Sequence, residues 1–261
     1  MEVVIQPDRW AATRLAARLI ARQVAAKPSC VLGLATGMTM ERVYAELVRL
    51  HGEEDLDFSL VRTFNLDEYI GIDPGHPGSY RYYMNKKLFD HVNVDVRNTH
   101  LPHGTAPDLD EECRRYEALI GACGGIDLQL LGIGRSGHIG FNEPLSALQS
   151  RTRAKALTPT TIAQNRDHFD PPSSMPRRGI TMGVGTILEA RECLLLVTGD
   201  SKAGVLAKAV EGPVTSMISA TALQLHPRCK VIADEEAAAH LEQKEYYRWI
   251  FENEPEWQEF R

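Results

Sequence analysis

The run Ile126–Gly134, IDLQLLGIG, constrains the fold more than any other stretch of the chain. Apart from Asp127 it carries no charge, and it runs into glycines. Such a continuous run of apolar and short-polar residues suits a strand covered on both faces, as in the middle of a parallel sheet. Gly132, Gly134 and Gly137 then allow the backbone to turn tightly beside a ligand. Three more runs have the same character: CVLGLA from Cys30, ECLLLVTG from Glu192 and CKVIAD from Cys229. MEVVI at the start and Leu60–Leu66 are two further strand candidates.

Helical patterns fill the intervals. Asp8 is placed to cap a helix over Arg9–Ala26, with Trp10, Leu15, Leu19 and Val24 as its apolar stripe. Arg14, Arg18 and Arg22 share its solvated face. MERVYAELVRL, SYRYYMNKKLFDHV and the stretch from Asp108 to Cys123 also read as helices. So do the segment capped by Asp200 and Ser201, TSMISATALQLHP, and the tail from Glu236. Strand and helix alternating in this way predict an α/β fold with a mainly parallel, doubly covered sheet.

A length of 261 residues fits one large α/β domain or two small ones. The net charge of −6 argues against general nucleic-acid binding but leaves room for a local basic pocket. Cys30, Cys113, Cys123, Cys193 and Cys229 are dispersed without CxxC spacing. That pattern points to reduced thiols in the cytosol and gives no metal signature. No apolar run approaches the roughly 20 residues of a membrane span, and MEVVIQPDRW lacks the regions of a signal peptide. The expectation is a cytoplasmic protein with no membrane, nucleic-acid or metal partner.

In open α/β sheets ligands bind past the carboxyl ends of the strands. Here that position delivers Ser136, His138, Asn142 and Glu143. A histidine and a carboxylate on one strand-end loop suit proton transfer; the plainer reading is a polar loop. After Cys30–Ala35, the turn Thr36–Thr39 leads into a helix, an arrangement that presents N–H groups to a phosphate or is simply a plain tight turn; it is neither a Walker loop nor GxGxxG. Asp67 and Glu68 end the next strand; adjacent carboxylates diverge, so only one need face a pocket. The basic, proline-broken segment at about 150–180 reads as a lid or a surface excursion. It places Arg166 to meet a phosphate. Lys202 near a helix N-terminus opposes the helix dipole unless an anion bridges the two.

In order, ATGMT, TFNLDEYIG, GIGRSGHIGFNEP, SRTRAKALT and KAVEG resemble the glucosamine-6-phosphate deaminase family, from Val31 to about Asp234. The resemblance implies one domain over 1–261, a Rossmann-like three-layer α/β/α sandwich with a lid. It implies a hydrolase of amino sugar catabolism, converting glucosamine 6-phosphate and water to fructose 6-phosphate and ammonia without a cofactor. Asp67 is then the base at C2, His138 the ring-opening acid/base and Glu143 its charge partner. Thr36, Gly37, Met38 and Thr39 would hold the phosphate, with Arg166 and Lys202 closing over it, and Glu68 and Gly137 would also meet the substrate. Ser136 stands where the family carries Asp or Asn, which implies a slower ring opening. The turn GMTM replaces GSTP or GGTP. Ser146, Arg153 and Lys155 match an effector site, and a homo-oligomer is implied. The alternatives are a deaminase or isomerase for a related amino sugar phosphate, or a silent sugar-phosphate-binding regulator. A lactonase fits TFNLDEY and FNEP less well.

Overall fold

In the computed structural model, which describes residues 1–261 apart from the side chain of His168, seven strands form one parallel sheet. They are β1 (Glu2–Gln6), β2 (Val31–Leu34), β3 (Arg62–Asn65), β5 (Thr99–His100), β6 (Leu128–Leu131), β9 (Cys193–Val197) and β10 (Cys229–Asp234). Their order across the sheet is β1-β10-β9-β6-β2-β3-β5. From β2 the chain builds outward to β3 and β5, and from β6 it builds the other way. The order therefore reverses between β2 and β6, and a crevice is expected beyond their carboxyl ends.

The apolar runs became the buried strands. Every residue of β2, β6, β9 and β10 is buried. Each fully buried Leu, Ile or Val contributes about 1.5–3 kcal/mol of transfer free energy, so these runs have little freedom to sit elsewhere. Helices α1 (Arg9–Ala26), α2 (Met38–Glu54), α3 (Tyr80–Lys87), α4 (Leu109–Ala122), α6 (Val184–Leu188), α7 (Ala203–Val210) and α8 (Lys244–Asn253) fill the connections and the tail. The Asp8 carboxylate accepts from the N–H groups of Trp10 and Ala11, both at 2.8 Å, as its capping position requires. Cys30 and Cys193 are buried free thiols. Trp257 is also fully buried; its indole N–H donates to Glu2 at 2.9 Å and pins the tail to β1. Among the described residues no helix is long and apolar enough to cross a membrane.

A second, antiparallel sheet departs from the sequence reading. It joins β4 (Asp67–Tyr69), β8 (Arg178–Thr181) and β7 (Arg153–Ala156) in the order β4-β8-β7. It has its own apolar cluster, built on Tyr69, Phe141, Leu157 and Phe169. The strand expected over Leu60–Leu66 is thus shorter, and the chain enters the second sheet at Asp67, opposite Thr181. Two smaller expectations also fail. Neither Asp200 nor Ser201 caps the Lys202 segment with its side chain; Asp234 accepts the Gly199 N–H instead, at 3.0 Å. Ser219–Leu225 winds as a 3-10 helix and not as an α-helix.

Candidate active site

A cavity of 870 Å³ opens past the ends of β2, β6 and β9. The Thr36–Met40 turn forms one wall and the Gly132–Arg135 loop another. The segment between β7 and β8 covers it with α5 (Pro159–Asn165), whose Thr160, Thr161 and Gln164 face inward.

Asp67 and His138 line this cavity from different strands. Asp67 is buried, and burial followed by the nearby Glu68 charge raises its carboxyl well above the ordinary range. A desolvated carboxylate is a stronger base toward a C–H proton. Gly140 makes room for it. With φ +55° it takes a left-handed turn, and a Cβ there would stand 3.4 Å from Asp67 Oδ2 and 2.9 Å from Thr181 Oγ1.

His138 is held from behind. Ser136 Oγ lies 2.7 Å from its Nδ1, and Glu143 Oε2 lies 3.2 Å from the same nitrogen. Its Nε2 rests against Gly134, where an added Cβ would come within 2.1 Å. Glu143 Oε1 accepts from Thr158 N–H at 3.3 Å, Thr158 Oγ1 at 3.1 Å and Thr161 Oγ1. Burial pushes the Glu143 carboxyl up, but His138, Thr161 and Thr158 together hold it down, at about 2. An ionised partner behind Nδ1 fixes the tautomer and stabilises an imidazolium. Ser136 and Glu143 orient the ring and do not line the cavity.

The loop carrying these groups is tied on all sides. The Asn142 amide donates to the carbonyls of Ile139 and Met182, at 2.9 and 2.8 Å, and accepts from Arg153 at 2.9 Å. Ser219 Oγ donates to the Asn142 carbonyl at 2.8 Å. Arg153 also donates to Ser146 at 3.0 Å. The expected effector arginine therefore already has internal partners, while Lys155 is exposed.

At the other end Thr36, Gly37, Met38 and Thr39 line the cavity. Gly37, at φ +113°, starts α2 without a side-chain cap, which leaves helix N–H groups for an anion. Lys202 lines the same end and donates to the Ile133 carbonyl at 2.8 Å. Burial and then the Arg135 charge lower its pKa.

Three expected substrate contacts lie elsewhere. Glu68 does not line the cavity; it accepts from the N–H groups of Tyr69, Tyr80 and Arg81 at 2.8–3.0 Å and caps the start of α3. Gly137 is buried, with φ +82°, and a Cβ there would meet Ile218 at 2.4 Å. The Arg166 side chain is 59% exposed, 3.7 Å from Asp167, and outside the cavity lining, whereas Asp167 lies in it. Sequence reasoning in turn missed Arg135 and Tyr80, which do line the cavity. Tyr80 bonds to Tyr69 at 3.2 Å, and Asn165 of α5 donates to Tyr69 at 3.0 Å. Arg135 stood in plain view inside GIGRSGH, but nothing in its spacing sets it apart from a surface arginine. Tyr80 was indistinguishable from the other aromatic anchors of SYRYY.

Residues 9–231 match the family of glucosamine-6-phosphate isomerases and 6-phosphogluconolactonases. A glucosamine-6-phosphate deaminase of Hahella chejuensis is 50% identical over 250 residues, covering 96% of this chain and 95% of the relative. One from an Arthrobacter species is 47% identical and covers 99% of each. Among solved structures, a monomeric glucosamine-6-phosphate deaminase superposes with a TM-score of 0.90 at 43% identity, over 92% of this chain and all of that one. A 6-phosphogluconolactonase from Trypanosoma cruzi shares the fold, with a TM-score of 0.73 at 18% identity over 92% of this chain and 97% of that one.

Proposed function

The chain belongs to the family of glucosamine-6-phosphate isomerases and 6-phosphogluconolactonases, and we propose that it is a glucosamine-6-phosphate deaminase. One observation carries this reading beyond the relatives' names: a buried, unpaired carboxylate and a carboxylate-backed histidine face one cavity whose far end offers a cation and a free helix terminus. That set suits a phosphorylated sugar whose ring must open and whose C2 proton must move.

In this mechanism the phosphate sits at Thr36–Thr39 and Lys202. His138 Nε2 takes the proton of the anomeric hydroxyl and returns it to the ring oxygen, which gives the open-chain aldehyde. Asp67 removes the C2 proton, the electron pair forms the C1–C2 double bond, and the C1 carbonyl oxygen takes a proton from the C2 ammonium, which gives an enol-amine. A proton returned to C1 leaves an imine at C2. Water adds there and ammonia departs, so glucosamine 6-phosphate and water become fructose 6-phosphate and ammonia. The residues perform an isomerisation; the entering water makes the net change a hydrolysis of the C–N bond. Segment 150–180 acts as the lid of a single domain, a reading supported by α5, which lines the cavity and bonds Glu143 through Thr161.

The test is ammonia release and fructose 6-phosphate formation from glucosamine 6-phosphate, with Asp67→Asn and galactosamine 6-phosphate alongside. Turnover of the gluco substrate, lost in Asp67→Asn, is the expected result. Turnover of the galacto epimer alone moves the substrate, and turnover of neither sinks the deaminase reading. A cytoplasmic location and a homo-oligomer belong to the same proposal, supported by resemblance. The 43% identical solved relative is described as monomeric, so a solution mass measurement decides the second.

A further inference from the structure

We infer that Arg135, in place of the lid cation Arg166, is the second positive group on the substrate's phosphate, and that it links phosphate capture to the ring-opening histidine. The inference rests on the deaminase reading for the identity of the substrate, and on the cavity alone for the anion site.

A phosphate monoester carries about two negative charges near neutral pH, its second pKa being about 6. Lys202 supplies one positive charge at the anion end of the cavity. The other positive group lining the cavity is Arg135, whose charge acts on Lys202. Two adjacent cations repel each other unless an anion sits between them. Among the described residues no carboxylate forms an ion pair with either Arg135 or Lys202. The lid does not supply the missing charge: Arg166 points outside the lining, and the lid residue within it is Asp167. A guanidinium also presents paired donors that match two phosphate oxygens, which Lys202 does not.

The position of Arg135 has a second consequence. Gly134 N–H donates to the His138 carbonyl at 2.9 Å, and Gly137 N–H donates to the Gly134 carbonyl at 3.0 Å. Arg135 and Ser136 are therefore neighbours in one closed turn. Ser136 Oγ touches His138 Nδ1. An anion that fixes Arg135 also fixes the turn from which the histidine is oriented.

The test compares wild type, Arg135→Gln, Arg135→Lys and Arg166→Gln. Inorganic phosphate binding is measured by calorimetry, and kcat and KM are measured for glucosamine 6-phosphate. Arg135→Gln is expected to weaken phosphate binding and raise KM about 10- to 100-fold, the usual loss for a charge-assisted hydrogen bond. It is also expected to lower kcat, whereas Arg135→Lys recovers part of the phosphate affinity. Changes within about twofold in both Kd and KM overturn the inference, as does a larger loss of phosphate affinity in Arg166→Gln. If wild type fails to turn over the sugar while phosphate binding still depends on Arg135, the deaminase reading falls and the anion site stands.

Discussion

Ser136 Oγ stands 2.7 Å from His138 Nδ1, closer than Glu143 Oε2 at 3.2 Å from the same nitrogen. With the proton on Nδ1, that nitrogen donates to Ser136 Oγ with Glu143 Oε2 beside it as a charge, and Nε2 is left as the basic nitrogen. In the proposed mechanism the serine contributes alignment, and Glu143 contributes charge. Ser136→Ala is therefore expected to lower kcat about 3- to 10-fold. Glu143→Gln is expected to lower it about 100-fold, because the imidazolium formed during ring opening loses its counter-charge. Ser136→Asp should raise kcat above wild type by adding a second charge. Steady-state kinetics check all three: an unchanged rate in Ser136→Ala refutes the assignment of ring orientation to this position, and a Ser136→Asp rate equal to wild type refutes the gain from added charge.

Thr161 links the covering segment to the same histidine. It is buried, and its hydroxyl donates to the Glu143 oxygen that faces away from His138. The Glu143 carboxyl is held from an ordinary value of 4.5 down to about 2. A group with a depressed folded pKa adds stability above its unfolded pKa and loses it as pH falls through the folded one. Its contribution is thus present above pH 4.5 and disappears toward pH 2. Thr161→Val keeps the shape and removes one donor. It is expected to cost about 1 kcal/mol at neutral pH and to shift acid unfolding to higher pH, with Thr161→Ser close to wild type. Circular dichroism as a function of pH reads this directly; an unchanged acid midpoint in Thr161→Val would show the contact to be idle.

Asp67 has the opposite sign. Burial and Glu68 raise its pKa above the ordinary 3.8, so the folded state holds its proton more tightly than the unfolded chain does. The wild-type protein pays a growing penalty as pH rises from 3.8 through the raised folded value. Asn mimics the protonated acid. Asp67→Asn should therefore abolish turnover and raise the melting temperature at pH 7, by about 1–3 kcal/mol in stability. The gain should vanish below pH 3.8, where both states are protonated. This is the stability cost of a buried base, and thermal melts at pH 3 and pH 7 compare the two limits.

The legible part of the molecule was the part decided by local pattern. β9 is a continuous apolar run and β6 is interrupted only by the buried Gln129, which suits strands covered on both faces. His138 and Glu143 were legible because one short loop carries both. β4 and β7 were not legible. DEY shows no strand periodicity, and RAKA alternates over only four residues with alanine as its sole apolar member; both become strands through pairing with β8, more than a hundred residues from Asp67 in the first case. The exchange of Arg166 for Asp167 has the same origin. The two are neighbours in one 3-10 turn, and which one faces inward depends on how α5 docks through Asn165–Tyr69 and Thr161–Glu143. Adjacent charges cannot be sorted by sequence when a long-range contact sets the rotation. Glu68 illustrates the converse: beside Asp67 it reads as a second site carboxylate, yet three backbone N–H groups consume it.

Gly134 offers the sharpest separation of activity from stability. Its backbone does not require glycine, since it has no left-handed φ, so a substitution there meets only a question of space. The space belongs to His138: an added Cβ would lie 2.1 Å from Nε2 and 2.2 Å from Cε1. No backbone atom stands among its three nearest neighbours, so the strain falls on the imidazole. Gly134→Ala is expected to push the ring off Nδ1 alignment with Ser136 and Glu143 while the sheet beneath stays intact. A displacement near 1 Å at a reacting group costs about 100-fold in rate, whereas the melting temperature should fall by only a few degrees, the scale of about 1 kcal/mol. Gly140→Ala provides the contrast, because there φ is +55° and the added carbon meets Thr181 and Asp67; it should lose stability and activity together. Measuring kcat and melting temperature on both variants tests whether Nε2 against Gly134 is the working face of the histidine. Full activity in Gly134→Ala would place the proton transfer on another group.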